Sequence, residues 1–176
     1  MASALHGFSR TTLDSDLVAD ILPKHVPLLV QHLRDRYYIS APAIYDALEH
    51  RSSFNLIHLA TMFKIDIFLP KARKFDRDQM ANRRKYVVAT DPEQSAYVAS
   101  PEDTILAKLE WYRLGDEVSE RQWRDILGVI QIQGDALDLA YLRQGGADLG
   151  VADLLARALN GDDSIASSSS QLSLDL

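Results

Sequence analysis

The sequence predicts an α+β fold: a small mixed β-sheet core with flanking helices, followed by a C-terminal helical bundle. Before residue 100, short apolar runs typical of strands, as at 53–59 and 62–69, alternate with amphipathic helical stretches. After it, apolar residues recur at helical spacing between capping residues and glycines. We therefore expect an α/β core over 1–99, a helical subdomain over 100–161 and a disordered serine-rich tail over 162–176.

The predicted core contains a strand, two amphipathic helices, a β-hairpin, a polar helix and a second hairpin. The helix after the first strand opens at Pro23 and places Val26, Leu29, Val30 and Leu33 on one face. The first hairpin is antiparallel, because two apolar runs are separated only by a tight turn. In chain order the elements span 13–19, 23–33, 40–48, 53–69, 77–83 and 85–99.

The helical part carries clear start and stop signals. Ser100 precedes a proline and two acids, which is the pattern of a helix N-terminus. Ser119 opens a second helix in the same way. We expect Asp135 to open a third helix that is weakened or broken at the glycine pair 145–146, and a fourth helix over 151–159.

Composition excludes several classes of protein. The chain has 176 residues, a net charge of −6 and no cysteine, so a disulfide framework and a thiolate metal site are excluded. No apolar run approaches the roughly 20 residues that span a bilayer, and the first residues do not resemble a signal peptide. We expect a cytoplasmic protein without a membrane partner. The acidic balance also argues against a surface that coats nucleic acid broadly.

Three aspartates lie in apolar runs that are predicted to be strands, where aspartate is rare. Asp14 and Asp16 lie two residues apart in one apolar run, so both point to the same face of a strand. Asp66 lies at the centre of a second apolar run. Carboxylates held together repel unless cations separate them, and Mg²⁺ prefers such oxygen ligands. These residues are candidate metal ligands, although exposed acids on edge strands would show the same pattern.

The stretch over residues 7–18 resembles the catalytic stretch of the minimal nucleotidyltransferases of the DNA polymerase β-like superfamily, which include toxin-type and abortive-infection-type members. The shared pattern is a His-Gly pair, Arg-x-Thr, then Asp-x-Asp on a strand, with a third Asp on a later strand. Asp66 fits the third position. Residues 100–108 and 121–125 resemble the family's helical tail, so the resemblance covers roughly residues 1–130.

The resemblance implies a Mg²⁺-dependent enzyme that transfers a nucleoside monophosphate from a nucleoside triphosphate (NTP), including ATP, to an acceptor. Asp14 and Asp16 would hold two Mg²⁺ ions. Asp66 would complete the coordination of the ion nearer the acceptor and help to remove the acceptor's proton. These three aspartates are the predicted catalytic and metal-binding residues. The residues assigned to the nucleotide are Ser9, Arg10, Thr11 and Lys108.

Each nucleotide-binding assignment has a simpler alternative. Arg10 could form a surface ion pair, and Ser9 and Thr11 could cap a loop. Lys108 could be a solvated helix residue. Arg121 and Asp125 lie four residues apart and could pair on one helix face.

A basic cluster between residues 71 and 85 is the predicted acceptor contact. It could dock an RNA end or a protein, and the resemblance also implies a possible antitoxin-like partner. The alternative is a solvated face that offsets Asp76 and Asp78. The cluster contains Lys71, Arg73, Lys74, Arg77, Arg83, Arg84 and Lys85.

The start of the chain departs from the family pattern. Family members carry a Gly-Gly or Gly-Ser pair ahead of the His-Gly helix, and Met1 follows the place where that pair would stand. We therefore expect a chain truncated at its N-terminus, and the alternative function is a catalytically inactive binding or regulatory module. A third interpretation is a dimerisation domain formed by the leucine-rich helices after residue 137.

Overall fold

The computed structural model describes residues 14–161, which form two compact units, 14–77 and 78–161. The fold is α+β, as the sequence predicts, and the described residues contain seven α-helices. None of these helices has the length and apolar character needed to cross a bilayer. The predicted tail, 162–176, lies outside the described residues.

The first unit is built on a four-stranded mixed sheet with strand order β1-β4-β3-β2. β1 and β4 are parallel, whereas the β3–β4 and β2–β3 pairs are antiparallel. The predicted hairpin is therefore confirmed as β3 and β4. The elements are β1 (Asp14–Val18), α1 (Val26–Leu33) after a 3-10 turn (Pro23–His25), β2 (Tyr37–Tyr38), α2 (Ala41–His50), β3 (Ser53–His58) and β4 (Lys64–Phe68).

One face of this sheet forms the core of the first unit. Phe54, Leu56 and Ile67 are buried on it and pack with Val26 of α1 and Ile44 of α2. Side chains alternate along a strand, so the residues between these apolar positions point to the opposite face. That opposite face carries the polar strand residues, and the candidate site lies on it.

The second unit combines a two-stranded sheet with helices. The sequence placed the division at residue 99, but the structure divides the chain after Arg77, so the second hairpin belongs with the helices. The strand before Ser100 leads directly into a helix, which keeps the hairpin beside the bundle. The elements are α3 (Lys74–Asn82), which crosses the boundary, β5 (Arg84–Thr90), β6 (Glu93–Val98), α4 (Pro101–Leu114), α5 (Glu120–Gln133), α6 (Leu139–Asp148) and α7 (Ala152–Leu159).

Side chains cap the helices of the second unit. Ser100 and Ser119 accept backbone N–H groups at the starts of α4 and α5, as predicted. The third helix begins later than predicted, because Asp138 rather than Asp135 caps it by accepting the N–H of Tyr141. The Asp138 N–H in turn donates to Glu102 Oε1 at 3.0 Å. This contact between distant parts of the chain favours the later start.

The expectation that α6 weakens at its glycine pair is wrong, because the helix runs through both residues to Asp148. A Cβ atom on Gly145 would collide with the side chain of Leu106, and one on Gly146 would lie 3.1 Å from Leu155 Cδ2. The glycines therefore let α6 approach α4 and α7 closely. Packing here outweighs the low helix propensity of glycine.

We expect Gly145→Ala to destabilise the protein by about 1–3 kcal/mol, although alanine is the better helix former. Leu106 is fully buried, so its side chain cannot yield to the new methyl group without disturbing the core. Urea unfolding measures the change. The exposed neighbour Arg143→Ala is the control and should change stability by less than about 0.5 kcal/mol. An unchanged or raised stability for Gly145→Ala would show that the contact can relax.

Candidate active site

The parallel pairing of β1 and β4 brings two of the predicted catalytic residues together. Asp16 is the register partner of Asp66, and Asp14 is the register partner of Lys64. Neighbouring strands are about 4.8 Å apart, so carboxylates in register on one face are close enough to share a cation. Sequence analysis grouped these aspartates by residue type, and the register places Asp16 beside Asp66.

A third strand extends the polar row. Asn55 on β3 is the antiparallel register partner of Asp66, so Asp16, Asp66 and Asn55 lie across three adjacent strands. Asn55 is exposed and carries an amide oxygen, a ligand type that Mg²⁺ accepts. Sequence analysis missed this residue. The available signal was an asparagine, which is depleted in strands, opposite Asp66 in a predicted hairpin.

Lys64 provides the positive charge in this row. Its Nζ lies 2.8 Å from Asp66 Oδ2, and the two side chains are 47% and 23% exposed. The residues are two apart on β4, so they share the face that also carries Asp16. The ion pair partly offsets the negative charge of the aspartates and stands beside the position that a bound cation would take. Sequence analysis did not single out Lys64.

The described residues supply part of the predicted ligand set. The backbone of Asp14 is described, but its side chain lies outside the described part of the chain. Within that part, no three His, Cys, Asp or Glu side chains form a group that could hold a metal. The described donors are therefore the carboxylates of Asp16 and Asp66 and the amide of Asn55.

The predicted nucleotide-binding residues fall in two places. Ser9, Arg10 and Thr11 lie outside the described residues. Lys108 lies on α4, where its Nζ donates to Asp125 Oδ2 at 2.9 Å and both side chains are largely shielded from solvent. This ion pair joins α4 to α5. Asp125 therefore contacts Lys108, in addition to any interaction with Arg121.

The basic cluster is partly satisfied by its own neighbours. Arg73 Nε donates to Asp76 Oδ2 at 2.7 Å, and Arg77 donates to the carbonyl oxygen of Ala72 at 2.9 Å. These contacts favour a structural role for the cations near the start of α3. Arg83, Arg84 and Lys85 belong to the second unit and are exposed.

Comparison with known proteins identifies no relative. No family model matches the chain, and no curated protein or solved structure is significantly similar to it.

Proposed function

We propose that this protein is a Mg²⁺-dependent nucleotidyltransferase of the small, toxin-like type. The observation that carries the proposal is the register of Asp16 and Asp66 on adjacent parallel strands, on the sheet face opposite the core. The sequence pattern around Asp14 and Asp16 supports it, because it resembles the catalytic stretch of that family. The substrate would be a nucleoside triphosphate such as ATP, and the acceptor an RNA end, a protein hydroxyl or a small molecule.

The donors on this face suit Mg²⁺. Asp16, Asp66 and Asn55 offer hard oxygen atoms, and Asp14 occupies the next position of the same face by strand alternation. Asp14, Asp16 and Asp66 would hold the ions. Bound Mg²⁺ would lower the pKa of the acceptor hydroxyl and offset the charge on the phosphates.

The side chains would accept the proton of the acceptor and attract the phosphates. In the transfer, the acceptor oxygen forms a bond to the α-phosphorus while the bond to the leaving pyrophosphate breaks. Asp66 Oδ2 is engaged by Lys64, so Oδ1 is the oxygen that would accept the hydroxyl proton. The Lys64 ammonium would attract the phosphates to this face of the sheet.

A catalytically inactive module is the second candidate. The Lys64–Asp66 ion pair favours it, because this contact gives one of the carboxylates a partner without any metal. Such a module would use the polar face for binding or regulation. The two candidates differ in one respect that can be measured, which is transfer of the α-phosphate of an NTP.

The deciding experiment supplies α-phosphate-labelled NTPs, Mg²⁺ and a cell extract to the purified chain and to the Asp16→Asn/Asp66→Asn double variant. We expect label on one acceptor class with the native chain and only background with the double variant. Asp35→Asn is the matched control, because the Asp35 side chain is 86% exposed and lies in the connection between α1 and β2, outside the strands that carry the site. Equal labelling by all three proteins, or no labelling by the native chain, would reject the enzyme.

A further inference from the structure

The hairpin of β5 and β6 has one inward face and one outward face. Residues directly opposite each other in an antiparallel pair share a face. Tyr86, Ala96 and Val98 are buried or half-buried, and their strand neighbours are exposed. The exposed side chains form the outer face of the hairpin, defined as Lys85, Val87, Ser95 and Tyr97.

An aromatic ring stands on this outer face. Tyr97 is 64% exposed, and the Arg83 guanidinium lies 5.0 Å from the centre of its ring. Lys85 is the register partner of Tyr97, so a second cation flanks the ring on the neighbouring strand. Val87, which is 56% exposed, adds apolar surface to the same face. The outer face of the hairpin therefore presents an exposed aromatic ring flanked by two cations.

The two cations carry no ion pair within residues 14–161. Within this part of the chain, the Arg83 guanidinium stacks on the ring of Tyr97 and forms no salt bridge. The acids of the hairpin, Asp91 and Glu93, lie at its turn. Lys85 lies near the open end of the hairpin, in register with Tyr97. Lys85 and Thr90, the register partner of Glu93, are five positions apart along the strand, a distance of about 16 Å. The strand positions at the open end therefore carry cations and no acid.

We propose that the outer face of the hairpin, together with Arg83, binds single-stranded RNA. A base would stack on the exposed ring of Tyr97, and the neighbouring phosphates would contact Arg83 and Lys85. Aromatic side chains beside cations bind single strands in this way, because every base has a flat face and every linkage a negative charge. The choice of RNA rests on the proposed function, in which an RNA end is one acceptor.

Other partners fit this surface less well. An acidic peptide would satisfy the cations but would leave the ring of Tyr97 without a stacking partner. A duplex offers phosphates, but its bases are stacked inside the helix and cannot reach the ring. Only a single strand uses the aromatic ring and both cations together.

Fluorescence anisotropy with a labelled oligouridylate of about 12 nucleotides tests the proposal. We expect Tyr97→Ala to weaken binding about 5- to 150-fold, the range for loss of one stacked base, and Tyr97→Phe to bind like the native chain. Arg83→Ala and Lys85→Ala should each reduce the slope of log affinity against log salt concentration by about 0.7. Tyr45→Ala is the control, since Tyr45 is 45% exposed on a helix of the first unit.

Four results would overturn the proposal. These are equal affinity of the native chain and Tyr97→Ala, tighter binding to the matching duplex, tighter binding to single-stranded DNA, and tighter binding to a polyglutamate peptide. The assay contains neither NTP nor Mg²⁺, and we expect the Asp16→Asn/Asp66→Asn variant to retain RNA binding. Failure of the enzyme proposal is therefore distinguishable from failure of this one.

Discussion

Replacing Asp16 or Asp66 by Asn is expected to weaken binding of Mn²⁺, a spectroscopic substitute for Mg²⁺, by at least about 100-fold. Changes in residues that merely orient metal ligands already weaken metal affinity about 10- to 100-fold, so loss of a ligand charge should do more. The two aspartates are register partners on β1 and β4, so each change removes one side of the same site. Electron paramagnetic resonance of free Mn²⁺ measures the affinity directly and needs no acceptor.

Two further variants make this result specific. Asp35→Asn removes an exposed carboxylate of the first unit and should leave Mn²⁺ affinity unchanged. Lys64→Gln removes the ammonium 2.8 Å from Asp66 Oδ2 and should raise the affinity about fivefold, the effect of removing roughly 1 kcal/mol of charge repulsion. If Asp16→Asn and Asp66→Asn bind Mn²⁺ as the native chain does, the polar face is an ion-pair cluster and not a metal site.

Local signals explain how much of the fold could be predicted. Ser100 and Ser119 stand where side-chain oxygens cap α4 and α5, and such capping depends on residues three positions apart. The hairpin of β3 and β4 was predicted because its strands are adjacent in the chain. Propensity and capping act over a few residues, so the sequence displays them directly.

Contacts between distant residues explain what sequence analysis missed. Asp135 and Asp138 are equivalent capping candidates by type, and the hydrogen bond from Asp138 N–H to Glu102 distinguishes them. The low helix propensity of glycine predicts that α6 breaks at its glycine pair. The structure shows instead that Gly145 lies close to Leu106, where a larger residue would not fit. The chemistry of residue types cannot reveal these contacts without the fold.

In the candidate site, too, residues with a local sequence signal could be predicted, and residues placed by tertiary contacts could not. The aspartates could be singled out because a carboxylate in an apolar run is anomalous by itself. Asn55 offered only the weaker signal of a residue type that is depleted in strands, and Lys64 offered none, because a lysine is unremarkable on a half-exposed strand. Their place beside Asp66 follows from the register of three strands, which is set by tertiary pairing.

Asp103→Ala is expected to lower the free energy of unfolding by about 3–5 kcal/mol, because two hydrogen bonds to a buried carboxylate are lost. Asp103 is fully buried at the start of α4. Its Oδ1 accepts from Tyr141 Oη at 2.6 Å, and its Oδ2 accepts from Ser100 Oγ at 2.8 Å. Asn82 Nδ2 also donates to Tyr141 Oη, so the carboxylate joins α4, α6 and the end of α3.

The same carboxylate should make stability depend on pH. Burial raises the pKa of Asp103 above its ordinary value of 3.8, and the hydrogen bonds from Tyr141 and Ser100 oppose this only in part. Between the pKa of the unfolded chain and the higher pKa of the folded protein, the native state therefore holds a proton that the unfolded chain has already released. Its contribution to stability is complete below about pH 3.8 and is lost as the pH rises through the folded-state pKa.

Urea unfolding between pH 3.5 and 7, followed by the fluorescence of the buried Trp123, tests both statements. Asp103→Asn keeps the shape and one acceptor but cannot ionise, so we expect a smaller loss than for Asp103→Ala and a flatter dependence of stability on pH. Asp135→Asn, an exposed acid of the same unit, should follow the native curve. If Asp103→Asn follows it too, the carboxylate keeps its ordinary pKa, because a group with equal pKa values in the folded and unfolded states leaves stability independent of pH.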